Sequence, residues 1–223
     1  MERAILEAKN LSKTYVTDHR ELKVLQGISL SVATDEFVAV QGSSGSGKTT
    51  LLTLLSGLDH PSSGEVTIGG KPITGVSEDA LAPLRNAWMG FVFQSFHLVP
   101  SMTALENVMF PAEIRGDSDA RERARVLLSH VGLSDREDNL PSQLSGGEKQ
   151  RVAICRAMIN DPKILFADEP TGNLDSRNGH IILEQLLDLK SRCGSTLIMV
   201  THNPEIAQAS DRVFHLADGR ISV

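Results

Sequence analysis

Short, almost unbroken apolar runs alternate along the chain with stretches of helical period. Phe37-Val38-Ala39-Val40, Phe91-Val92-Phe93, Ile164-Leu165-Phe166-Ala167 and Thr196-Leu197-Ile198-Met199-Val200 are the runs. Alternating polarity would mark strands with one wet face; continuous apolarity predicts strands of a parallel sheet covered on both faces. A helix is expected over residues 51–58, after the first run. Ala124, Leu127, Leu128 and Val131 recur at helical spacing, as do Ile182, Leu186 and Leu189, so each set lines one helix face. Residues up to about 70 read as strand-rich, with further strands expected over 5–11, 24–32 and 65–68. Between Gln94 and Asp161 the pattern is helical. These periods predict an α/β fold in a single domain of 223 residues: a core over 1–93 and 162–223, an N-terminal antiparallel β region, and a helical subdomain inserted over 94–161. No internal repeat or low-complexity tract interrupts it.

Composition narrows the classes. Apolar residues at 40% and charged residues at 22% suit a globular chain. The net charge of −6, without a Lys/Arg run, argues against nucleic acid as a partner. Cys155 and Cys193 stand 38 apart with no CxxC and no Cys/His cluster, which reads as two small thiols in a reducing compartment. Met1-Glu2-Arg3-Ala4 opens without an apolar signal region, and no run approaches the roughly 18–20 apolar residues of a membrane helix. The expectation is a cytoplasmic chain whose membrane role, if any, passes through a partner.

Candidate chemistry begins after the first apolar run. Gly42-Ser43-Ser44-Gly45-Ser46-Gly47-Lys48-Thr49 fits G-x-x-x-x-G-K-[ST] between a strand and a helix. Glycines let successive N–H groups turn toward phosphate oxygens, and the helix N-terminus adds favourable partial charge. Lys48 can reach the outer phosphates, and the Thr49 hydroxyl can ligate Mg²⁺. This predicts nucleotide triphosphate binding on a P-loop core, with kinases, GTPases, helicases and transporters left open. Asp168 and Glu169 close a buried strand, at the sheet edge where α/β proteins place ligands. Asp168 suits Mg²⁺ and Glu169 suits a general base for water. Leu144-Ser145-Gly146-Gly147-Glu148 opens another helix with a hydroxyl and two glycines, a second anion-binding start. One nucleotide needs one such loop, so the second asks for an explanation.

In this ordered set the chain resembles the nucleotide-binding subunit of ABC transporters, over essentially its whole length, which implies a P-loop NTPase core of RecA-like type. The resemblance identifies Tyr15 as the aromatic that stacks on adenine. Residues 42–49, with Thr50, are the Walker A loop, Gln94 is the Q-loop glutamine, and residues 144–148 are the signature. Asp168 and Glu169 are Walker B and the catalytic glutamate, Gly172-Asn173-Leu174-Asp175 is the D-loop, and His202 is the switch histidine. It implies that two copies face head to tail with ATP between the P-loop of one and Ser145, Gly146 and Gly147 of the other. Lys48 then neutralises phosphate charge, Thr49, Asp168 and Gln94 attend Mg²⁺, Glu169 activates water, His202 contacts the γ-phosphate, and Asp175 signals across the dimer. Asn203 departs from the family, which often has Asp after the switch histidine.

The segments 90–100, 103–108 and 167–175 are similar to the branch of lipoprotein-releasing (LolD), macrolide-efflux (MacB) and cell-division ATPases, whose permeases have few spans and large extracytoplasmic domains. The resemblance implies a separate integral-membrane permease, with the chain peripheral on the cytoplasmic face of the inner membrane. Phe96, Leu98, Val99, Met102 and Leu105 either form the groove for the permease or pack inside the helical insertion. Two other classes compete. A DNA-repair ATPase of this superfamily would insert a long coiled coil, but only 94 residues lie between Thr50 and Ser145, without sustained heptads. A P-loop kinase or GTPase would need neither the signature nor His202.

Overall fold

The apolar runs at 37–40, 164–167 and 196–200 form strands with no wet face, while in the run at 91–93 the two phenylalanines are half-buried. Phe37, Val38, Ala39 and Val40 are at most 4% exposed, and Thr196–Thr201 is buried throughout. The structure, a computed structural model, describes residues 4–17 and 20–222. It divides into two units, Met1–Pro83 with Thr196–Val223, and Leu84–Ser195.

In the first unit, β1 (Ala4–Thr17) pairs antiparallel with β2 (Arg20–Ala33) and with β4 (Ser63–Ile68), which pairs in turn with β5 (Lys71–Pro72). This is the antiparallel region expected near the N-terminus. β3 (Phe37–Gln41) runs parallel to both β8 (Thr196–Thr201) and β9 (Arg212–Ala217), and β10 (Arg220–Ser222) returns antiparallel on β9. The β9–β10 turn is Asp218-Gly219, both at positive φ (48° and 71°), which matches the twist of a two-residue hairpin. α1 (Lys48–Leu55) packs on β8 and β2, burying Leu51, Leu52, Leu54 and Leu55. It begins and ends earlier than the expected 51–58. Its start is the last glycine of the phosphate loop, and Gly57 at φ 67° turns the chain out of the helix. α7 (Pro204–Gln208) packs against β3, β8 and β9.

α2 (Glu78–Trp88) carries the division between the units, and the periodicity had not disclosed it. Leu81 is its buried residue and Pro83 interrupts its hydrogen-bond ladder, so the apolar stripe is too thin to read. In the second unit, β6 (Met89–Phe93) runs parallel to β7 (Ile164–Asp168). α3 (Ala104–Ile114), α4 (Ala120–His130) and α5 (Gly146–Met158) pack on one another, with α5 also on β6 and on α6 (Ser176–Cys193). Of the expected stripe Ala124, Leu127, Leu128 and Val131, all but the half-buried Leu127 are buried there, with Val108 and Val152. Leu105 is 2% exposed, so among the five groove candidates it packs inside the insertion; Phe96, Leu98, Val99 and Met102 are half-buried. Among the described residues no helix is long and apolar enough to cross a membrane.

Candidate functional site

The loop between β3 and α1 curls around the Lys48 ammonium. Lys48 is 6% exposed, and its Nζ donates to the Gly42 carbonyl at 2.9 Å and the Ser43 carbonyl at 3.0 Å. Ser46 N–H closes the curl on Ser43 O at 3.2 Å. The first glycine is required by a close approach: a Cβ on Gly42 would lie 2.5 Å from the Leu216 carbonyl oxygen and 2.6 Å from Ser46 Oγ. Gly47, at φ 100°, forms the N-cap of α1 without a side-chain cap, and no acidic residue sits in the first turn. The helix therefore presents its N–H groups and positive dipole end to an anion. Ser46 Oγ is buried and has no hydrogen-bond partner among the described residues. An orphaned hydroxyl of this kind is costly unless a ligand satisfies it, and a phosphate oxygen is chemically able to. Ser43, Ser44, Gly45 and Thr49 are exposed on the loop rim, with Thr50 half-buried behind.

β8 brings His202 to the same loop. A cleft of about 400 Å³ is lined by Gly42, Ser43, His202 and His215, among others. His215, in register with Gln41 on β9, was not singled out by its motif because nothing local marks it. Asn203 caps α7, its Oδ1 accepting Glu205 N–H at 2.8 Å. Asn and Asp are equivalent caps, so the departure from the family pattern keeps this structural role. Tyr15 stands on β1, 40% exposed, its hydroxyl donating to Asp59 Oδ2 at 3.1 Å.

In the second unit the register of β6 on β7 sets Phe93 opposite Asp168, so Gln94 and Glu169 leave neighbouring strand ends together. Stacking of Phe91 on Phe166, centroids 5.6 Å apart, supports that register. Gln94 Nε2 donates to Asn173 Oδ1 at 3.2 Å, and Asn173 Nδ2 donates to the Gln94 carbonyl at 2.9 Å. This reciprocal pair was missed from sequence. With Nε2 so engaged, Gln94 Oε1 is the acceptor atom of the amide. Glu169 sits at φ 43°, and its carbonyl accepts Gly172 N–H at 3.0 Å. Asp168 and Glu169 are half-buried at the end of their strand. Asp175 caps α6, accepting Asn178 N–H at 3.0 Å and Asn178 Nδ2 at 2.6 Å. Within this unit the Asp168 carboxylate and Gln94 Oε1 are hard oxygen donors, the chemistry that suits Mg²⁺; in the first unit the Thr49 hydroxyl is a donor of the same kind.

The second glycine-rich start is a complete capping box. Glu148 N–H donates to Ser145 Oγ at 3.3 Å, and Ser145 N–H donates to Glu148 Oε2 at 2.7 Å. The Ser145 amide, then its hydroxyl, and Arg136 at 3.1 Å hold the Glu148 carboxyl down to about 2, against the opposing effect of partial burial. Ser145 and Gly146 are exposed at the helix start. Positions 146 and 147 face Leu174 and Asn178, so the signature start lies beside the D-loop. At the other end of α5, Arg156 donates to the Phe96 carbonyl at 2.9 Å and to the His97 carbonyl. Phe96 and His97 are both at positive φ, so this one guanidinium clamps the turn that follows Gln94.

The ABC transporter family pattern matches residues 25–172. An uncharacterized ABC transporter ATP-binding protein YbbA of Escherichia coli is 49% identical over 219 residues, 97% of this chain and 96% of its own length. The lipoprotein-releasing system ATP-binding protein LolD of Bordetella pertussis is 46% identical over 97% of this chain and 94% of its own. The macrolide export ATP-binding/permease protein MacB of Syntrophobacter fumaroxidans is 48% identical over 97% of this chain, which spans only 31% of that longer protein. A solved dimer of an ATP-binding cassette in a post-hydrolysis state, bound to ADP and Pi, superposes with a TM-score of 0.91 at 38% identity, over 98% of this chain and 97% of that one.

Proposed function

Since the chain belongs to the ABC transporter family, we propose that it is the ATP-binding and ATP-hydrolysing subunit that powers a separate membrane permease. The observation that carries this reading is the pair of anion-binding helix starts on one chain: the loop curled on Lys48, and the capped start at Ser145. In a head-to-tail pair of copies, each ATP uses the first start of one copy and the second of the other. The closed pair binds the γ-phosphate better than the open one, so ATP binding favours closure and hydrolysis releases it.

The roles follow. Tyr15 stacks on adenine. Gly42, Ser43, Ser44, Gly45, Ser46, Gly47, Lys48 and Thr50 cradle the phosphates. Thr49, Asp168 and Gln94 hold Mg²⁺, which supplies charge neutralisation at the phosphates when bound. Glu169 accepts the proton of the attacking water, and His202 hydrogen-bonds the γ-phosphate. Ser145, Gly146 and Gly147 meet the nucleotide of the second copy, and Asp175, capping α6 beside the signature start, relays closure. The helical segment 94–161 is the module that receives the permease. The work is export, lipoprotein extraction or force transmission at the cytoplasmic face of the inner membrane, with no nucleic acid involved.

The test is capture of the tagged Glu169→Gln chain from solubilised native membranes with Mg-ATP. Recovery of an integral-membrane protein with few spans and a large extracytoplasmic domain supports the reading. Recovery of soluble partners alone sinks the transport assignment.

A further inference from the structure

Asp59 gathers three groups around one carboxylate. Its Oδ1 accepts Lys13 Nζ at 2.8 Å and the His60 amide at 2.7 Å, while its Oδ2 accepts the Tyr15 hydroxyl at 3.1 Å. Lys13 also donates to the His60 carbonyl at 2.6 Å, and its ammonium lies 4.9 Å over the Tyr15 ring. The Lys13 side chain is 12% exposed and that of Asp59 33%, so the pair is sheltered although the ring beside it is open. Burial opposes ionisation of Asp59, but Lys13, the His60 amide and the Tyr15 hydroxyl together hold its carboxyl below the ordinary range. Asp59 leaves the end of α1, its N–H donating to Thr53 O at 3.2 Å. The segment that follows α1 therefore holds the Tyr15 hydroxyl.

We infer that Lys13 and Asp59 are positioning residues for the nucleobase. They fix the Tyr15 ring at both its face and its hydroxyl, and they set its distance from the phosphate loop through α1. The inference rests on the reading of Tyr15 as the adenine platform. An exposed tyrosine on a strand has rotamer freedom that a stacked base would have to suppress; here the suppression precedes binding, which raises affinity without a new contact. The ammonium closes one face of the ring by cation–π contact and leaves the other for a base. Stacking is tolerant of base identity, so this arrangement sets affinity for the base, and the phosphate loop acts independently of it.

The chain contains one tyrosine, so 3-fluorotyrosine labelling of the full chain yields a single ¹⁹F resonance from Tyr15. ATPase kinetics and inhibition by Mg-tripolyphosphate are measured for the unsubstituted chain, Tyr15→Ala, Asp59→Asn, Lys13→Met and Lys13→Arg, and the resonance for all of these except Tyr15→Ala, which lacks the label. Asp59→Asn and Lys13→Met are expected to raise KM for ATP roughly 3- to 10-fold with kcat altered less than about twofold. Tripolyphosphate inhibition stays unchanged, the free-state ¹⁹F resonance moves, and Lys13→Arg restores most of the KM. An unchanged KM in both variants overturns the inference, as does a parallel loss of tripolyphosphate affinity, which would mean damage to α1. Tyr15→Ala is expected to raise KM roughly tenfold. If it leaves KM unchanged, the platform reading itself fails, a result distinct from failure of the two supports alone.

Discussion

At the residue scale the site depends on a few side chains held in unfavourable backbone. Glu169 occupies the left-handed region at φ 43°, a conformation that costs a non-glycine residue about 1 kcal/mol or more. The turn closed by Gly172 N–H on the Glu169 carbonyl maintains it. On the roles proposed above, Glu169→Gln removes the general base and leaves the proposed phosphate ligands in place. Hydrolysis should fall about 10²–10⁴-fold with ATP affinity nearly unchanged, as read by single-turnover phosphate release and equilibrium binding. Gly172→Ala probes the neighbouring contact. Its Cβ would stand 2.9 Å from Gln94 Nε2, so the Gln94 amide must shift, which strains its bond to Asn173. The expected result is a lower kcat at unchanged ATP affinity; unchanged turnover would show that the Gln94–Asn173 pair has no part in positioning.

At the element scale, α5 joins two functions along one axis. Its N-terminal capping box presents Ser145, and its C-terminal turn holds Phe96 and His97 through Arg156. Loss of the box in Glu148→Ala should cost about 1 kcal/mol, seen as a small drop in the unfolding midpoint. The pH dependence has a definite sign. The Glu148 carboxyl is lowered from 4.5 to about 2, so its contribution is complete above 4.5 and is lost as pH falls from there toward 2. The stability difference between the unsubstituted chain and Glu148→Gln, followed by urea unfolding, should therefore be larger at pH 6 than near pH 3. α3 shows how a motif that looks like family wording has a physical content. Thr103 and Glu106 form a second capping box. Asn107, 1% exposed, donates to the carbonyls of Val99, Met102 and Thr103 and accepts Val99 N–H, fixing the segment that follows the Q-loop.

At the scale of the whole molecule the predictions concern what the chain binds and what holds it together. Leu98 is half-buried on the segment between Gln94 and α3, where a charge can be introduced at modest cost. Leu98→Asp should abolish capture of the permease from membranes while the isolated chain still hydrolyses ATP; retained capture would remove Leu98 from the docking surface. Leu105 separates the two readings of this segment. At 2% exposure it belongs to the core, so Leu105→Ala should destabilise the chain by about 2–5 kcal/mol in denaturant unfolding.

The amino-acid sequence by itself determined the motifs on which the proposed chemistry rests: the phosphate loop, the acidic strand end, the second glycine-rich helix start and the order in which they occur. Each is a local device, in which N–H groups, caps or carboxylates a few residues apart act together whatever the rest of the chain does. The buried parallel strands were equally plain, since a strand covered on both faces has to be apolar throughout. α2 was not, because its one buried residue, Leu81, leaves no period to detect. Only the tertiary structure decided which distant residues serve the motifs. Gln94 meets Asn173 across 79 positions, Tyr15 meets Asp59 across 44, and His215 reaches the phosphate loop through strand register. Those partners are single polar residues without a pattern of their own. What selects them is the pairing of β6 with β7, of β3 with β9, and the length of α1, and these follow from burial of apolar area summed over each unit rather than from any local spacing.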